Sequence, residues 1–489
     1  MASFSAKKIV NATKWSALSQ IVLKIISPVT NMILAHLLAP EIFGIVASIT
    51  LVISFTDLFT EAGFQKYIVQ HELRGDEKLE EIASVAFWTN LWISLLFLAG
   101  IIFFRDPIAT WIGAPGKGIA LAVACISLPI TSFSSIQAAI FQRNLRFKSL
   151  FWVRLISAAI PLAITVPLAL VGIGYWALII GKIAGNLYQA VAMTVISKWK
   201  PRLFYRFSTL KAMFSYSIWS LFESITVWLA TNVDILIVGT ILTSYYLGLY
   251  KTSMSTVNEV LRIVSSAILP VVFATISRLQ GEPKRFNDVV YRAQSMMTTL
   301  VLPMGVGLFL YRELVTGVAL GAQWAQAASF IGLWSLVTCI TIAYDYICDE
   351  IYRAQGKPKL SFITHLISII VLIPAVIWAA KWGFEVLIYV RSATLLVLLL
   401  ANCFFLKRYT GISILRFFTN TLPQIGCTLG MAAIALLLQQ VSSNMIWQFV
   451  SIIICAGSYL GLMWVIPAGR RQIIDLYAMA RGKQNEFKR

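Results

Sequence analysis

The expected architecture follows from two similar segments, Ile33-Leu-Ala-His-Leu-Leu-Ala-Pro-Glu-Ile-Phe-Gly44 and Ile237-Val-Gly-Thr-Ile-Leu-Thr-Ser-Tyr-Tyr-Leu-Gly248. Each segment joins one apolar stretch to the next. An even number of apolar stretches separates the two copies, so both halves of the chain have the same orientation in a membrane. The repeat predicts two six-helix lobes in a parallel pseudo-repeat, followed by two C-terminal helices. Chance similarity between two helix junctions that end in glycine is the alternative.

The composition is that of a membrane protein. The 489 residues are 58% hydrophobic and 12% charged, whereas soluble domains are about one-quarter charged. A bilayer-spanning helix needs about 20 mostly apolar residues, and the apolar stretches suffice for about fourteen. The sequence thus predicts an all-α polytopic membrane protein with too few remaining residues for a soluble catalytic domain. The predicted spans are residues 12–38, 42–62, 82–103, 118–140, 149–170, 174–197, 211–238, 244–275, 288–310, 326–348, 360–380, 383–406, 416–440 and 445–467.

The distribution of basic residues orients the predicted helices. The net charge is +19, and most Lys and Arg residues cluster in alternate connections between apolar stretches. Because the positive-inside rule places such clusters in the cytoplasm, we expect both termini there. The charge therefore needs no nucleic-acid partner to explain it. The connections on the opposite side carry only Arg105, Lys117, Arg312 and Lys381.

Three motifs relate the sequence to a known group of transporters. The first is the segment that ends at Gly44, and the second is Glu61-Ala-Gly-Phe-Gln-Lys-Tyr-Ile-Val-Gln70. The third is Asn232-Val-Asp-Ile-Leu-Ile-Val-Gly239 with Leu247-Gly-Leu-Tyr250. In these motifs the sequence resembles the polysaccharide exporters of the multidrug/oligosaccharidyl-lipid/polysaccharide superfamily, which include the Wzx-type flippases and colanic-acid exporters. Lys66 and Tyr67 depart from the small residues common at this place in the family.

The resemblance implies a transporter and no enzymatic activity. Such a protein flips polyprenyl-diphosphate-linked oligosaccharide repeat units from the cytoplasmic to the periplasmic face of the bacterial inner membrane by alternating access, for lipopolysaccharide or exopolysaccharide biosynthesis. Its partners would be the lipid-linked oligosaccharide, membrane lipids and the polysaccharide polymerase machinery. The expected division is an N-lobe at 1–208, a C-lobe at 209–409, and two further helices with a tail at 410–489.

Two other functions remain open. One is a cation-coupled multidrug antiporter on the same fold, whose cavity should be dominated by carboxylates. The other is a membrane glycosyltransferase or polymerase, which would need a catalytic acid or base on a sizeable loop. The predicted external connections are short and poor in Asp, Glu and His, which argues against an enzyme.

The anionic head group of the implied cargo requires cationic side chains within the membrane. A base in a transmembrane helix costs about 2.5–3.5 kcal/mol on insertion scales, so it normally faces a cavity or a partner. Lys24 and Arg262 lie nearest mid-helix and are the strongest candidates for contacts with the diphosphate. Ion pairing is the alternative, since Glu259 precedes Arg262 by three residues on one helix face. The six candidate substrate-binding bases are Lys24, Arg262, Lys182, Arg391, Lys251 and Arg154.

Carboxylates in spans are candidates for ion coupling, because a protonatable group there can link transport to a proton or sodium gradient. We select Glu223, Asp234 and Asp57 for this role. The six cysteines and three histidines show no metal-ligand spacing, so the sequence implies neither a metal nor a cofactor. No catalytic motif is recognisable. The acidic residues in or near the spans are Asp57, Glu61, Glu223, Asp234, Glu259, Asp345 and Glu385.

Overall fold

The computed structural model describes residues 6–70 and 78–480, and some side chains within these ranges, among them those of Lys66 and Glu223, lie outside the description. The described residues are 87% helical, and the two described ranges contain no strand. Peptide groups in hydrocarbon have no water to bond with, so a continuous helix satisfies them within each span. The predicted all-α class is confirmed.

Thirteen segments of the described chain are helical, long and apolar enough to cross a membrane. Most coincide with predicted spans to within a few residues; the predicted span 149–170, for example, corresponds to Phe147–Leu170. The first predicted span falls in the helix Ala6–Leu37, whose apolar part, Val22–Leu37, is shorter. A polytopic membrane protein is therefore confirmed, whereas the count of about fourteen spans stays a prediction.

The first of two compact units spans Met1–Lys251. Its helices are α1 (Ala6–Leu37), α2 (Pro40–Gln70), α3 (Leu79–Phe103), α4 (Arg105–Trp111), α5 (Gly118–Ala124), α6 (Ser127–Arg143), α7 (Phe147–Leu170), α8 (Tyr175–Ile196), α9 (Phe207–Ile241) and the start of α10 (Ser244–Ile276). Helix α2 packs against α3, α6 and α9, and α7 packs against α1 and α8. Helix α2 is thus the central element of this unit.

The second unit spans Thr252–Arg489. After the remainder of α10 it contains α11 (Pro283–Leu310), α12 (Arg312–Ala319), α13 (Ala327–Tyr344), α14 (Tyr346–Ala354), α15 (Pro358–Lys381), α16 (Phe384–Tyr409), α17 (Ile414–Thr419), α18 (Leu422–Val441), α19 (Met445–Val465) and α20 (Pro467–Ala480). Helix α13 packs against α11 and α16, α15 against α14 and α16, and α18 against α11 and α19. Helices α13 and α14 together form one span, Ala327–Ala354, and 78% of the residues in its apolar 18-residue stretch are buried.

The two units divide the chain at a different place from the predicted lobes. Helix α9, assigned by the sequence to the C-lobe, packs against α2 and α3 in the first unit. Helix α18, assigned to the C-terminal addition, packs against α11 in the second unit. The repeat reflects similarity between segments, whereas the units reflect which helices touch. The lobes at 1–208, 209–409 and 410–489 therefore stay a prediction.

Helices α7 and α8 form a closely packed hairpin. The connection includes Gly172 at φ +85°, a left-handed conformation that suits glycine. On α8, a Cβ at Gly181 would lie 2.1 Å from the Thr165 hydroxyl oxygen, and one at Gly185 would lie 2.8 Å from the Ser157 carbonyl oxygen. Two glycines spaced four residues apart let membrane helices approach closely.

We predict that Gly185→Leu destabilises the protein, because the larger side chain forces α7 and α8 apart. Overpacking of this kind costs about 1–3 kcal/mol. The measurement is the thermal unfolding midpoint of the purified protein in detergent, which should fall by several degrees. The matched control is Gly457→Leu on α19, where an added Cβ meets no atom within 4 Å. Equal midpoints for the two variants would contradict the close packing of α7 on α8.

Candidate functional site

The two copies of the repeated segment lie against one another in the first unit. A Cβ on Gly44 would be 1.7 Å from the Ser244 carbonyl oxygen, and a Cβ on Gly248 would be 1.9 Å from the Pro40 carbonyl oxygen. Both distances are far below van der Waals contact, so this packing admits only glycine at the two positions. The contact is reciprocal, as expected where an approximate two-fold axis passes between two equivalent segments. This pairing supports the interpretation of the segments as a repeat.

Two further glycines lie at the same place. A Cβ on Gly113, in the connection between α4 and α5, would be 1.5 Å from the Gly239 carbonyl oxygen. The Ser244 hydroxyl donates a hydrogen bond to the Gly113 carbonyl oxygen at 3.5 Å. We name Gly44, Gly113, Gly239 and Gly248 the glycine junction. Here three helix connections meet backbone to backbone, and the predicted topology assigns them to the external side of the membrane.

Asp234, one of the candidate ion-coupling residues, lies on α9 shortly before Gly239 and is 1% exposed. Its Oδ2 accepts a hydrogen bond from the Tyr250 hydroxyl, and its Oδ1 accepts one from the Ile235 amide, both at 2.8 Å. The carboxylate thus ties α9 to the start of α10 beside the glycine junction. Asp57 is half-buried on α2, and the side chain of Glu223 lies outside the described residues. The ion-coupling role of all three stays a prediction.

The six predicted substrate-binding bases are distributed over both units. Lys24 on α1 and Lys182 on α8 are exposed, whereas Arg154 on α7 and Lys251 on α10 are half-buried. These four belong to the first unit, and Arg262 and Arg391 belong to the second.

Arg391 is held in the interior of the second unit. It is 8% exposed, its Nη1 donates to the Thr394 hydroxyl at 3.1 Å, and its guanidinium lies 4.9 Å from the centre of the Trp334 ring. This packing between α13 and α16 stabilises the charge and leaves little of it accessible. A head group would reach Arg391 only after these helices had moved.

Arg262 is the base best arranged to bind a ligand. It is exposed on α10, and its Nε donates to the Tyr346 hydroxyl at 3.1 Å, with the guanidinium 5.8 Å from the Tyr346 ring centre. In the described part of the chain its two terminal nitrogens have no hydrogen-bond partner. A guanidinium fixed through Nε presents those nitrogens as a fork that matches two phosphate oxygens.

A polar network surrounds α14, next to Tyr346; Asp345, Tyr352 and Asn402 in it are buried, whereas Asp349, Ser361 and His365 are half-buried. Asp345, 3% exposed, lies between α13 and α14 and accepts a hydrogen bond from the Asn402 amide of α16. One turn later, Asp349 accepts a hydrogen bond from Ser361 of α15, and its Oδ2 lies 3.3 Å from Nε2 of His365. We name the set the α14 network. Its members are Asp345, Asp349, Tyr352, Ser361, His365 and Asn402.

The sequence analysis included Asp345 among the intramembrane acids but missed the rest of this network. A signal was present, because Asp345 and Asp349 are spaced four residues apart, as are Ser361 and His365. That spacing places each pair on one helix face. The histidines were considered only as metal ligands with partners on the same helix, whereas His365 has its partner on the preceding helix.

A groove of about 670 Å³ opens between α2, α3 and α9 in the first unit. Among the described side chains, none of the six candidate bases lines it and the lining residues are apolar, so it suits a hydrocarbon chain rather than a charged head group. The lining residues include Leu58, Phe59, Trp92, Leu96, Phe97 and Phe214.

Comparison with known proteins places this architecture in a family. The sequence profile of a family described as "Polysaccharide biosynthesis protein" matches residues 33–329, which is more than half of the chain. The chain belongs to this family. The predicted resemblance to polysaccharide transporters and flippases is therefore confirmed.

Two relatives within this group have informative names. The succinoglycan biosynthesis transport protein ExoT of Rhizobium meliloti is 27% identical over 333 residues, which cover 68% of this chain and 66% of the relative. The lipopolysaccharide biosynthesis protein WzxC of Escherichia coli is 18% identical over 377 residues, which cover 76% and 75% of the two chains.

The fold of this chain is similar to the folds of solved transporter structures. The lipid II flippase MurJ in an inward closed conformation superimposes with a TM-score of 0.74 at 16% identity, covering 92% of this chain and 98% of MurJ. An inward-facing multidrug resistance transporter of the MATE family has a TM-score of 0.58 at 12% identity, covering 85% and 98%. The family member described here therefore has the fold that these transporters share.

We predict that Gly44→Ala opens the glycine junction, because the added methyl group overlaps the backbone of Ser244. The measurement is the labelling of an introduced Ser244→Cys thiol by a membrane-impermeant maleimide added from outside intact cells. Labelling should rise at least severalfold in the Gly44→Ala background.

Gly100→Ala on α3 is the matched control, since an added Cβ there meets no atom within 4 Å. Native cysteines set the background, which is measured without the Ser244→Cys change. Unchanged labelling in the Gly44→Ala background would mean that the junction tolerates a side chain and is no barrier on that face.

Proposed function

We propose that this protein flips polyprenyl-diphosphate-linked oligosaccharide repeat units across the bacterial inner membrane, for the synthesis of a surface polysaccharide. It carries the units from the cytoplasmic to the periplasmic face by alternating access and does so as a transporter without catalytic activity. Both termini lie in the cytoplasm. Membrane lipids and the polymerase that extends the released units are its partners.

The observation that carries the proposal is the guanidinium of Arg262, presented by an apolar span and oriented by Tyr346. A diphosphate ester is the anionic part of the cargo, and bidentate pairing with phosphate oxygens is the strongest use of an arginine fork. An intramembrane base costs about 2.5–3.5 kcal/mol on insertion scales. A cargo whose anionic head group needs a cation at this depth explains why the protein keeps a base there despite this cost. Lys24 and Lys182, both exposed in the first unit, are further candidate contacts for the diphosphate.

The glycine junction supports alternating access. At the glycine junction the closest contacts between the two hairpins are between backbone atoms, so no bulky side chain lies between Gly44 and Ser244 or between Gly248 and Pro40, and this local contact can break and re-form. Because the repeated segments form it, motion of one relative to the other opens or closes the external side. The apolar groove beside α2 accommodates hydrocarbon while the polar head group follows the bases.

We predict that Arg262→Ala abolishes most export. A hydrogen bond to a charged group contributes about 1.5–3 kcal/mol, so losing it should slow flipping at least about tenfold. In a host lacking the native gene, complete lipid-linked repeat units should accumulate on the cytoplasmic face and surface polysaccharide should fall. Arg262→Lys should restore part of the export, because it keeps the charge but not the planar fork.

Arg278→Ala is the matched control, since Arg278 is an exposed arginine just beyond the end of α10. Membrane abundance of each variant is measured in parallel. If the deletion strain keeps normal surface polysaccharide and becomes sensitive to cationic drugs, the protein is instead an antiporter on the same fold. Normal export by a stably inserted Arg262→Ala variant would remove this residue from the translocation path.

A further inference from the structure

The α14 network brings two carboxyl groups and one imidazole close together. In the described part of the chain, Asp345 and Asp349 accept hydrogen bonds from neutral groups, and His365 is the only ionisable side chain within hydrogen-bonding distance of either carboxylate. The nearest cation on α14, Arg353, pairs with Glu350 at 2.6 Å through its Nη2. Two carboxyl groups thus lie one helical turn apart, and the imidazole of His365 is placed to pair with Asp349 when it carries a second proton.

A proton is the ligand that best suits this arrangement. When a proton from water binds to the imidazole of His365, the contact of 3.3 Å with Asp349 becomes an ion pair, and release of the proton to water restores the neutral ring. No other bond forms or breaks. Sodium would need five or six oxygen ligands. Here the Oδ2 of Asp349 contacts a histidine nitrogen and the amide nitrogen of Asn402 donates to Asp345, so nitrogen atoms occupy positions where sodium would require oxygen.

The network is mechanically connected to Arg262. Helix α14 is a nine-residue helix that begins at Tyr346 and includes Asp349. Its first residue holds the Nε of Arg262, and its second turn meets His365 of α15. A shift of α14 relative to α15 therefore moves the hydroxyl group that orients the guanidinium. The break between α13 and α14 at Asp345 lets α14 shift without displacing the whole span.

A second buried group on a neighbouring helix points to a polar interior at this depth. Gln294 of α11 is fully buried, and neither end of its amide has a hydrogen-bond partner in the described ranges. Helix α11 packs against α13 and α14. A Cβ on Gly305 of α11 would be within 3.0 Å of Cys339 and Ser335 of α13, and this antiparallel register sets Gln294 level with α14. Buried polar groups of this kind usually bind water, which conducts protons.

We propose that Asp349 and His365 form a proton-binding site that controls the position of Arg262 through α14. This inference deepens the proposed function, on which its transport consequence rests. Proton binding at Asp349 and orientation of the diphosphate-binding guanidinium by Tyr346, three residues earlier on α14, become one coupled equilibrium, which links a proton gradient to the head-group site.

Other titratable and charged groups surround the pair and belong to the same electrostatic system. They come from α14 itself and from the helices packed against it. These groups are Asp345, Cys348, Glu350, Tyr352 and Arg353 at or on α14, Tyr344 on α13, Cys403 on α16, Arg292 on α11 and Arg262 on α10.

The proton site is tested directly by nitrogen-15 NMR of the imidazole in the full-length protein, purified through a histidine-free tag. His36→Gln and His71→Gln make His365 the only histidine. We expect His365 to change protonation state between about pH 5 and 8, and we expect Asp349→Asn to shift the midpoint of that titration. A single protonation state throughout this range, or a midpoint unaffected by Asp349→Asn, overturns the proposal.

The coupling to Arg262 is tested without transport. Coupling is reciprocal, so Tyr346→Phe, which removes the hydroxyl that holds Arg262, should also shift the His365 midpoint. Tyr389→Phe is the matched control, an exposed tyrosine on α16. Equal midpoints for wild type and Tyr346→Phe would overturn the coupling. A midpoint that follows sodium concentration at constant pH would assign the site to a monovalent cation instead.

Binding of undecaprenyl diphosphate to the protein in lipid nanodiscs separates this proposal from the proposed function. Wild-type affinity should change at least threefold between about pH 6 and 8, and His365→Gln should bind with no pH dependence. His36→Gln, at an exposed position of α1, should behave as wild type. Binding that requires Arg262 but ignores pH refutes proton control and leaves the flippase proposal intact. No binding by the wild type refutes the head-group site, while the titration of His365 still decides the proton site.

Discussion

The constraint on which the structure depends is the cost of an unpaired peptide group in hydrocarbon. Each such group costs several kcal/mol, so the chain crosses the membrane as helices. Helices packed in lipid gain little from burying apolar surface against one another, and close approach must come from small residues instead. The paired glycines at 181 and 185 fulfil this requirement within one hairpin. The glycine junction fulfils it where two copies of the repeat meet, and there the glycines let backbone approach backbone.

Most of the fold was predictable because the bilayer imposes a length and a polarity on every span. Runs of apolar residues therefore located most spans closely, and the repeated segments identified the junctions that lie in contact. The grouping of helices was less predictable, since hydropathy says which residues avoid water but not which helices touch. Helix α9 shows this: its place in the chain assigned it to the second lobe, whereas it packs on α2.

The candidate site was predictable only in part, for a related reason. A single base within an apolar stretch is visible in the sequence, and Arg262 was selected as a candidate in this way. The orientation of its guanidinium depends on Tyr346, which is distant in sequence and is brought close by the packing of the second unit. The pair of Asp349 and His365 was missed because its two members lie on consecutive helices, where no helical spacing links them. Arg391 is the opposite case. The sequence selected it as a candidate contact for the substrate, whereas its side chain lies buried against Trp334.

These observations together explain why ionisable groups are concentrated around α14. In the proposed function, the head-group site must bind an anion on one side of the membrane and release it on the other. A cation whose affinity for the anion never changed would release the cargo too slowly. Changing the position of Arg262 requires an input of free energy delivered within a few residues of Tyr346. A short helix with a carboxylate–imidazole pair on its side and the arginine's partner at its start supplies that input locally. Because only the nine residues of α14 move and not a whole span, the backbone hydrogen bonds that the bilayer requires are kept.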